Sequence, residues 1–173
     1  MAATLPFPFL IEPLGKHHHR AAFSSGSPPL DHYLQQQAGQ EARRHLAVTF
    51  VLVDADRQIL AGYYTLSATS IRLGELPTEI AQKLPRYPLV PATLLGRLAV
   101  DTSYQGKRLG EFLLMDALRR SFTQSQAIAS MAVVVDAKDE GARRFYERYG
   151  FIKFPDQPFR LFLPMQTIAK LFS

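Results

Sequence analysis

The chain has 173 residues, 47% hydrophobic and 20% charged, with a formal net charge of +5 and no cysteine. That is the composition of one ordinary globular domain over residues 1–173, and the missing cysteines exclude a disulfide framework, a thiolate zinc site and a thiol nucleophile. The longest apolar runs, residues 93–100 and 131–135, fall short of the ~20 residues a membrane span needs, and the basic balance favours polyanionic partners such as nucleic acid or phosphorylated cofactors.

Residues 1–13 read as an edge segment, because prolines suit extended backbone that donates no ladder hydrogen bonds. The first ten residues carry no basic lead and two prolines, so no signal peptide and no membrane partner is expected, and the protein is placed in the cytoplasm. His17, His18 and His19 follow. Adjacent side chains on a loop or strand are not expected to converge, so no metal site is expected. Ser27 ahead of Pro28 and Pro29 marks a helix start, with a capping hydroxyl and prolines in the first turn. Its inner face would carry Leu30, Tyr33, Leu34 and Ala38, with Gly39 a weak point. Residues 46–53 and 59–71 are β-favouring runs on either side of a polar turn and predict an antiparallel hairpin. A short helix is expected over 77–84, ended by Pro85 and Pro88 in a loop that Pro91 closes.

The second half changes character. Residues 94–100 and 131–135 are nearly unbroken apolar runs of the kind buried on both sheet faces. Between them Leu109, Phe112, Leu113, Ala117 and Phe122 recur at helical spacing, opposite Glu111, Arg119 and Arg120. A second helix over about 139–149 would bury Ala142, Phe145 and Tyr149 and stop at Gly150 in the left-handed region. Residues 151–154 and 159–163 close the chain as a strand pair. The plan is an α/β (α+β) fold: a mixed sheet with helices packed on it.

The stretch Leu98, Ala99, Val100, Asp101, then Gln105, Gly106, Lys107, Arg108, Leu109 and Gly110 runs from a buried strand into a helix. A helix start offers unpartnered N–H groups and partial positive charge, and the two glycines allow close backbone approach, so such a turn suits a pyrophosphate. It is neither a Walker A loop nor a dinucleotide-binding G-x-G-x-x-G turn. The glycines alone point rather to a plain strand-to-helix connection.

The residues around the turn resemble the signature of GNAT acetyltransferases, whose pattern is Gln or Arg, two residues, Gly, one residue, Gly or Ala. Gln105 and Gly110 match; Arg108 stands where the family usually has glycine, and is expected to add a cationic contact to the phosphates. Residues 134–140 followed by Phe145, Tyr146, Tyr149, Gly150 and Phe151 resemble the family's second cofactor segment. The resemblance implies a mixed central sheet with a V-shaped splay between two central parallel strands, flanked by helices. It implies acetyl-CoA as donor and no metal, Leu98, Ala99 and Val100 along the pantetheine, residues 105–110 on the pyrophosphate, and Asp136, Ala142 and Phe145 as further cofactor contacts.

Tyr146 matches the tyrosine that this family uses to protonate the departing thiolate. A phenol of ordinary pKa keeps its proton at pH 7 and can donate it. The alternative is a core aromatic, a place already filled by Phe145 and Tyr149 in the expected inner stripe. No base stands out by spacing; Asp101 reads as a surface turn residue or an orienting group.

The whole chain further resembles the GNAT toxins of bacterial toxin–antitoxin pairs, the TacT and AtaT kind. Phe23-Ser24-Ser25-Gly26 with Leu30, Asp31 and Leu34 carries this, together with residues 61–67, 84–88 and 95–101. The subgroup often has cysteine where Ser25 stands, a change expected to matter little. That resemblance implies acetylation of the α-amino group of aminoacyl-tRNA, a ribbon-helix-helix antitoxin and a homodimer. Phosphate contacts supply most sequence-independent affinity for nucleic acid, and Lys83, Arg86 and Arg97 are the candidate tRNA contacts, with the pairs Arg43-Arg44 and Arg119-Arg120 behind them. Two other functions remain: acetylation of a small amine or protein amino group, and a non-catalytic acyl-CoA-binding domain. Glu111, Asp116 and Glu140 are expected to form i,i+3 or i,i+4 ion pairs.

Overall fold

The computed structural model describes residues 4–173; the first three residues of the expected edge segment lie outside the described residues. Seven strands, β1 (Phe9–Pro13), β2 (Val48–Asp54), β3 (Ile59–Arg72), β4 (Leu89–Val100), β5 (Ala132–Asp136), β6 (Ile152–Phe154) and β7 (Gln157–Pro164), form one sheet in the order β1-β2-β3-β4-β5-β7-β6. The β1–β2, β2–β3, β5–β7 and β6–β7 ladders are antiparallel, whereas β4–β5 is parallel. This is the expected mixed sheet, with the proline-bearing N-terminal strand on its edge. No helix among the described residues is long and apolar enough to cross a membrane.

Two compact units divide the described chain: one holds the segment up to Ser67 with Gly96–Ala117, the other Ala68–Leu95 with Leu118–Ser173. The first unit contains the hairpin of β2 and β3 and the helical segment α1 (Pro28–His32) and α2 (Ala38–Arg43). Between these two helices, Tyr33–Gln37 makes a π turn, which the 3.6-residue periodicity does not reveal. Its core joins Phe23, Tyr33, Leu34, Ala38, Val51, Val53, Leu60, Tyr63 and Ala99. Leu30 is only half-buried, and Ser27 occupies the cap position without making a side-chain cap bond. Its neighbour Ser25 has taken over the local hydrogen bonding instead.

The second unit packs Ile71, Leu76, Val90, Ala92, Ala132, Val134, Phe154 and Phe162 together. Its parallel ladder sets Thr93, Leu94 and Leu95 against Val133, Val134 and Val135, and β4 continues past the last of these positions to Val100. Pro91 lies inside β4 rather than closing a loop; its carbonyl accepts the Met131 N–H at 2.9 Å, a role that needs no N–H of its own. The expected helix over 77–84 shrinks to α3 (Thr78–Ala81). Two long helices follow the plan, α4 (Leu109–Ser125) and α5 (Glu140–Arg148), and a C-terminal α6 (Met165–Leu171), not foreseen, buries Met165 and Ile168. Asp116 is not limited to a helix-surface ion pair: its Oδ2 accepts the Tyr64 hydroxyl at 2.6 Å.

Candidate active site

In the first unit, β4 ends at Val100 and a short 3₁₀ turn, Thr102–Tyr104, leads to the start of α4 at Leu109. The helix starts only at Leu109 because Gly106 and Arg108 both leave the right-handed region, with φ of +84° and +62°. For Gly106 this is ordinary, and no atom lies within 4 Å of the place a Cβ would take. For Arg108 it is strained, at about 1–2 kcal/mol. Arg108 therefore holds a backbone shape that favours glycine; the chain keeps the turn and bears the strain. The Arg108 side chain is 79% exposed and pairs with Glu111, Nη2 to Oε2 at 2.7 Å and Nε to Oε2 at 2.9 Å. An exposed pair of this sort contributes about 0–1 kcal/mol and yields readily to a stronger anion.

The turn is pinned from two sides. Asp101, expected at the surface, is buried. Its Oδ1 accepts the Ser103 N–H and its Oδ2 the Ser24 N–H, each at 2.9 Å. Its own N–H donates to the Ala61 carbonyl at 2.8 Å, and the Thr102 N–H donates to the Ser24 carbonyl at 2.8 Å. Next along, the Gln105 side-chain amide donates to the Val100 carbonyl at 3.0 Å and to the Ser25 carbonyl at 3.1 Å. Gln105 therefore braces the turn with its side chain. Ser25 is fixed in its turn by Asp31, whose Oδ1 accepts the Ser25 hydroxyl at 2.6 Å and its N–H at 2.9 Å. Charge-assisted bonds of this kind contribute about 1.5–3 kcal/mol each. Sequence spacing singles out none of Ser24, Ser25, Asp31 and Asp101 as a clamp; the only signal is that the Phe23 to Leu34 signature and the turn appear together.

In the same unit Leu98 and Val100 are half-buried and Ala99 is buried, while Lys107 reaches the Tyr104 ring, with Nζ 5.4 Å from its centroid. Arg97 does not stand free in solvent. It is half-buried, with its guanidinium 3.5 Å from the centroid of the Tyr33 ring, a cation–π contact that contributes about 1–2 kcal/mol where water is excluded. The Tyr33 pKa is pushed up to about 12, by burial first and then by its hydrogen bond to Glu41, with the Arg97 charge pulling the other way.

The histidine run also departs from expectation. The turn at Gly15 brings one ligand atom each of Glu12, His17 and His18 within 4.8 Å of one another. The hydrogen bond on the far side of the His18 ring has the wrong polarity for a metal, though. The Gly15 N–H donates to His18 Nδ1 at 2.9 Å, so the proton sits on Nε2, 2.7 Å from Glu12 Oε1. A ligating imidazole donates from its other nitrogen; here that nitrogen accepts. The cluster is a hydrogen-bonded turn.

In the second unit, Asp139 caps α5, its side chain accepting the Ala142 N–H at 2.8 Å. The helix ends in a Schellman motif: the Gly150 N–H bonds the Glu147 carbonyl at 3.0 Å, the Phe151 N–H bonds the Tyr146 carbonyl at 3.3 Å, and Gly150 has φ +93°. The accompanying apolar contact is Phe151 on Tyr146, with ring centroids 5.3 Å apart. The cap ties Phe145, Tyr146, Gly150 and Phe151 into one unit: it fixes the tyrosine that the glycine and phenylalanine follow.

Burial on α5 differs from the expected stripe. Ala142, Phe145 and Tyr149 are half-buried, and Tyr146 is the buried member, 8% exposed. The inner face is thus rotated towards Tyr146, because Phe151 draws that ring inward. Burial alone pushes the Tyr146 phenol well above its ordinary pKa, so it holds its proton through neutral pH. Asp136 is exposed at the end of β5, and Lys83 and Arg86 are exposed in the segment after α3.

The chain's likeness to known proteins agrees with this geometry. Residues 90–168 match the family model for an acetyltransferase (GNAT) domain. The chain is 30% identical over 170 residues to "Probable toxin TacT" of Sinorhizobium fredii, covering 94% of both proteins. It is 35% identical over 150 residues to the tRNA-acetylating toxin of Mycobacterium tuberculosis, covering 87% of this chain and 88% of that protein. Among solved structures it resembles AtaT complexed with acetyl-methionyl-tRNAfMet, at a TM-score of 0.88 and 28% identity over 95% of this chain and 99% of the other.

Proposed function

The chain belongs to the GNAT family of acetyltransferases, and from that premise we propose that it is a toxin that acetylates the α-amino group of aminoacyl-tRNA and so blocks translation. It is an acyltransferase with acetyl-CoA as donor; its structural neighbours include AtaTR bound with AcCoA. In the proposed assignment the entire chain, 1–173, works as one acetyltransferase domain in the cytoplasm, restrained by an antitoxin. The similarity to the tRNA-acetylating toxin of Mycobacterium tuberculosis and to AtaT with the C-terminus of the antitoxin AtaR supports this.

The observation that carries the donor site is the turn before α4. Gly106 leaves open space beside a backbone in the left-handed region, and Lys107 and Arg108 supply cationic side chains at a helix start. In our reading residues 105–110 take the pyrophosphate, the β4 backbone at Leu98, Ala99 and Val100 takes the pantetheine, and Asp136, Ala142 and Phe145 complete the contacts.

The chemistry is attack of the neutral amine on the thioester carbonyl. A backbone N–H at the end of β4 steadies the oxyanion, and as the C–S bond breaks the Tyr146 hydroxyl gives its proton to the leaving thiolate. The phenol's raised pKa keeps it loaded for this step. Asp101 is not the base, since both of its oxygens already accept backbone N–H groups. No strong base is required: the amino group of an esterified amino acid has lowered basicity, which leaves a substantial fraction of it neutral near pH 7. The bound amine loses its extra proton to water after the attack.

Lys83, Arg86 and Arg97 are proposed to meet the tRNA, with Arg97 held in place by Tyr33. Inducing the gene in bacteria tests the assignment. Growth arrest accompanied by N-acetylated aminoacyl-tRNA is the expected result; harmless expression of active enzyme, with acetyl groups found only on small amines or proteins, would contradict it.

A further inference from the structure

Arg20 lies ahead of the first helical segment, and Arg43 ends α2. Gly39 sits one turn before Arg43. The place that a Cβ on Gly39 would occupy is 3.4 Å from Arg43 Nη1 and 3.5 Å from Arg20 Nη1, so two guanidinium heads come within about 7 Å of each other over bare helix backbone.

Like charges at that separation repel unless an anion lies between them. None of this chain's described carboxylates fills the role: neither arginine has an ion-pair partner among the described residues, and Glu41 Oε1, on the same helix, accepts the Tyr33 hydroxyl at 2.8 Å. Arg20 makes one long hydrogen bond, from Nη1 to the Leu34 carbonyl at 3.4 Å, inside the π turn. That contact uses one N–H of the guanidinium fork and leaves most of its donors for another acceptor.

We propose that Arg20 and Arg43 form a phosphate-binding site for the phosphodiester backbone of the RNA acceptor. Two planar forks on either side of a gap suit a tetrahedral, doubly accepting oxyanion better than they suit each other. Gly39 matters because any acidic side chain there would neutralise the pair from within. The inference rests on the tRNA-directed reading and extends its footprint onto the helix that carries Tyr33.

The test compares the wild type with Arg20→Gln, Arg43→Gln, the double variant and Gly39→Glu, using charged tRNA at saturating acetyl-CoA. Salt is varied from about 50 to 200 mM. The double variant should raise the KM for aminoacyl-tRNA on the order of tenfold and flatten the salt dependence by about one unit of slope per arginine, with kcat and the acetyl-CoA KM unchanged. Gly39→Glu should weaken tRNA binding likewise while melting no earlier than the wild type, because glutamate favours helix over glycine and pairs both arginines. A purely structural role for the arginines predicts the same melting behaviour for Gly39→Glu but unaltered tRNA binding, which would contradict the proposal.

An unchanged KM and slope in the double variant overturns the proposal. So does a double variant that keeps its tRNA affinity but loses binding to polyglutamate, which would assign the pair to an acidic protein segment. If the wild type modifies no tRNA, the functional assignment fails by itself. Fluorescence anisotropy with uncharged tRNA then still decides the arginines: binding lost in the double variant supports the site, and equal binding overturns it.

Discussion

The carboxylate of Asp101 accepts the backbone N–H of Ser24 at 2.9 Å across 77 positions of sequence. Through this bond the end of β4 is tied to the Phe23 to Gly26 segment, and a buried charge gains the partners it requires. With Gln105 on the Ser25 carbonyl and Asp31 on Ser25, the contact makes the turn proposed to take the donor a braced structure.

Asp101→Asn should therefore act on donor binding more than on chemistry. The amide retains one acceptor and loses the charge, so one of two N–H bonds is weakened or lost, at about 1–3 kcal/mol of stability. Calorimetry should show acetyl-CoA affinity reduced several-fold, with kcat at saturating donor near the wild-type value. A collapse of kcat at unchanged affinity would make Asp101 part of the chemistry instead.

Arg108 separates strain from contact. Arg108→Gly relieves a left-handed arginine and should raise stability by up to about 1 kcal/mol, whereas Arg108→Ala keeps the strain and should gain nothing. Both remove the guanidinium, and both should weaken acetyl-CoA binding to a similar extent. Thermal melts and donor titrations on the two variants check this, and equal stability of the pair would show that the turn is not strained at this position.

Gly150→Ala tests the cap that seats Tyr146. Its Cβ would have room, with Leu163 Cδ1 at 3.7 Å, but φ +93° disfavours any side chain. A cost of about 1–2 kcal/mol is expected, and turnover should fall further than the acetyl-CoA affinity because the helix end sets the phenol's position. A melt and a kcat measurement suffice, and unaltered values of both would remove the cap from the account.

The rate's pH dependence follows from the burial of Tyr146. A phenol whose pKa is raised in the folded protein stays protonated below its ordinary value of about 10, so the proposed general acid is fully loaded across neutral and mildly alkaline pH. The kcat profile should show no descending limb from this group below pH ~10. An alkaline limb near pH 8 that disappears in Tyr146→Phe would mean that the phenol ionises easily, contrary to its burial.

Much of the fold was legible because its signals are local. β-branched runs announced β2, β3 and β5, helical spacing announced α4, and Gly150 marked the end of α5. What stayed hidden depends on contacts between distant segments. Asp101 looks like any polar residue at a strand end until Ser24 is brought to it. The sequence alone does not fix the stripe on α5, because Ala142, Phe145, Tyr146 and Tyr149 all satisfy an amphipathic pattern, and only the Schellman turn, by folding Phe151 back, selects Tyr146. The convergence of Glu12, His17 and His18 needed the bend at Gly15, and its chemistry needed the direction of a single N–H. The π turn at Tyr33–Gln37 is a departure from regular periodicity, so regular periodicity could not reveal it.

The most direct test is a single-turnover reaction of the purified protein with radiolabelled acetyl-CoA and a pool of charged tRNAs, followed by mass spectrometry of the esterified amino acids. The wild type should place label on the α-amino group of at least one aminoacyl-tRNA. Tyr146→Phe, with donor affinity retained, should do so at least about tenfold more slowly. Label absent from every aminoacyl-tRNA, or a phenylalanine variant as fast as the wild type, would contradict the account.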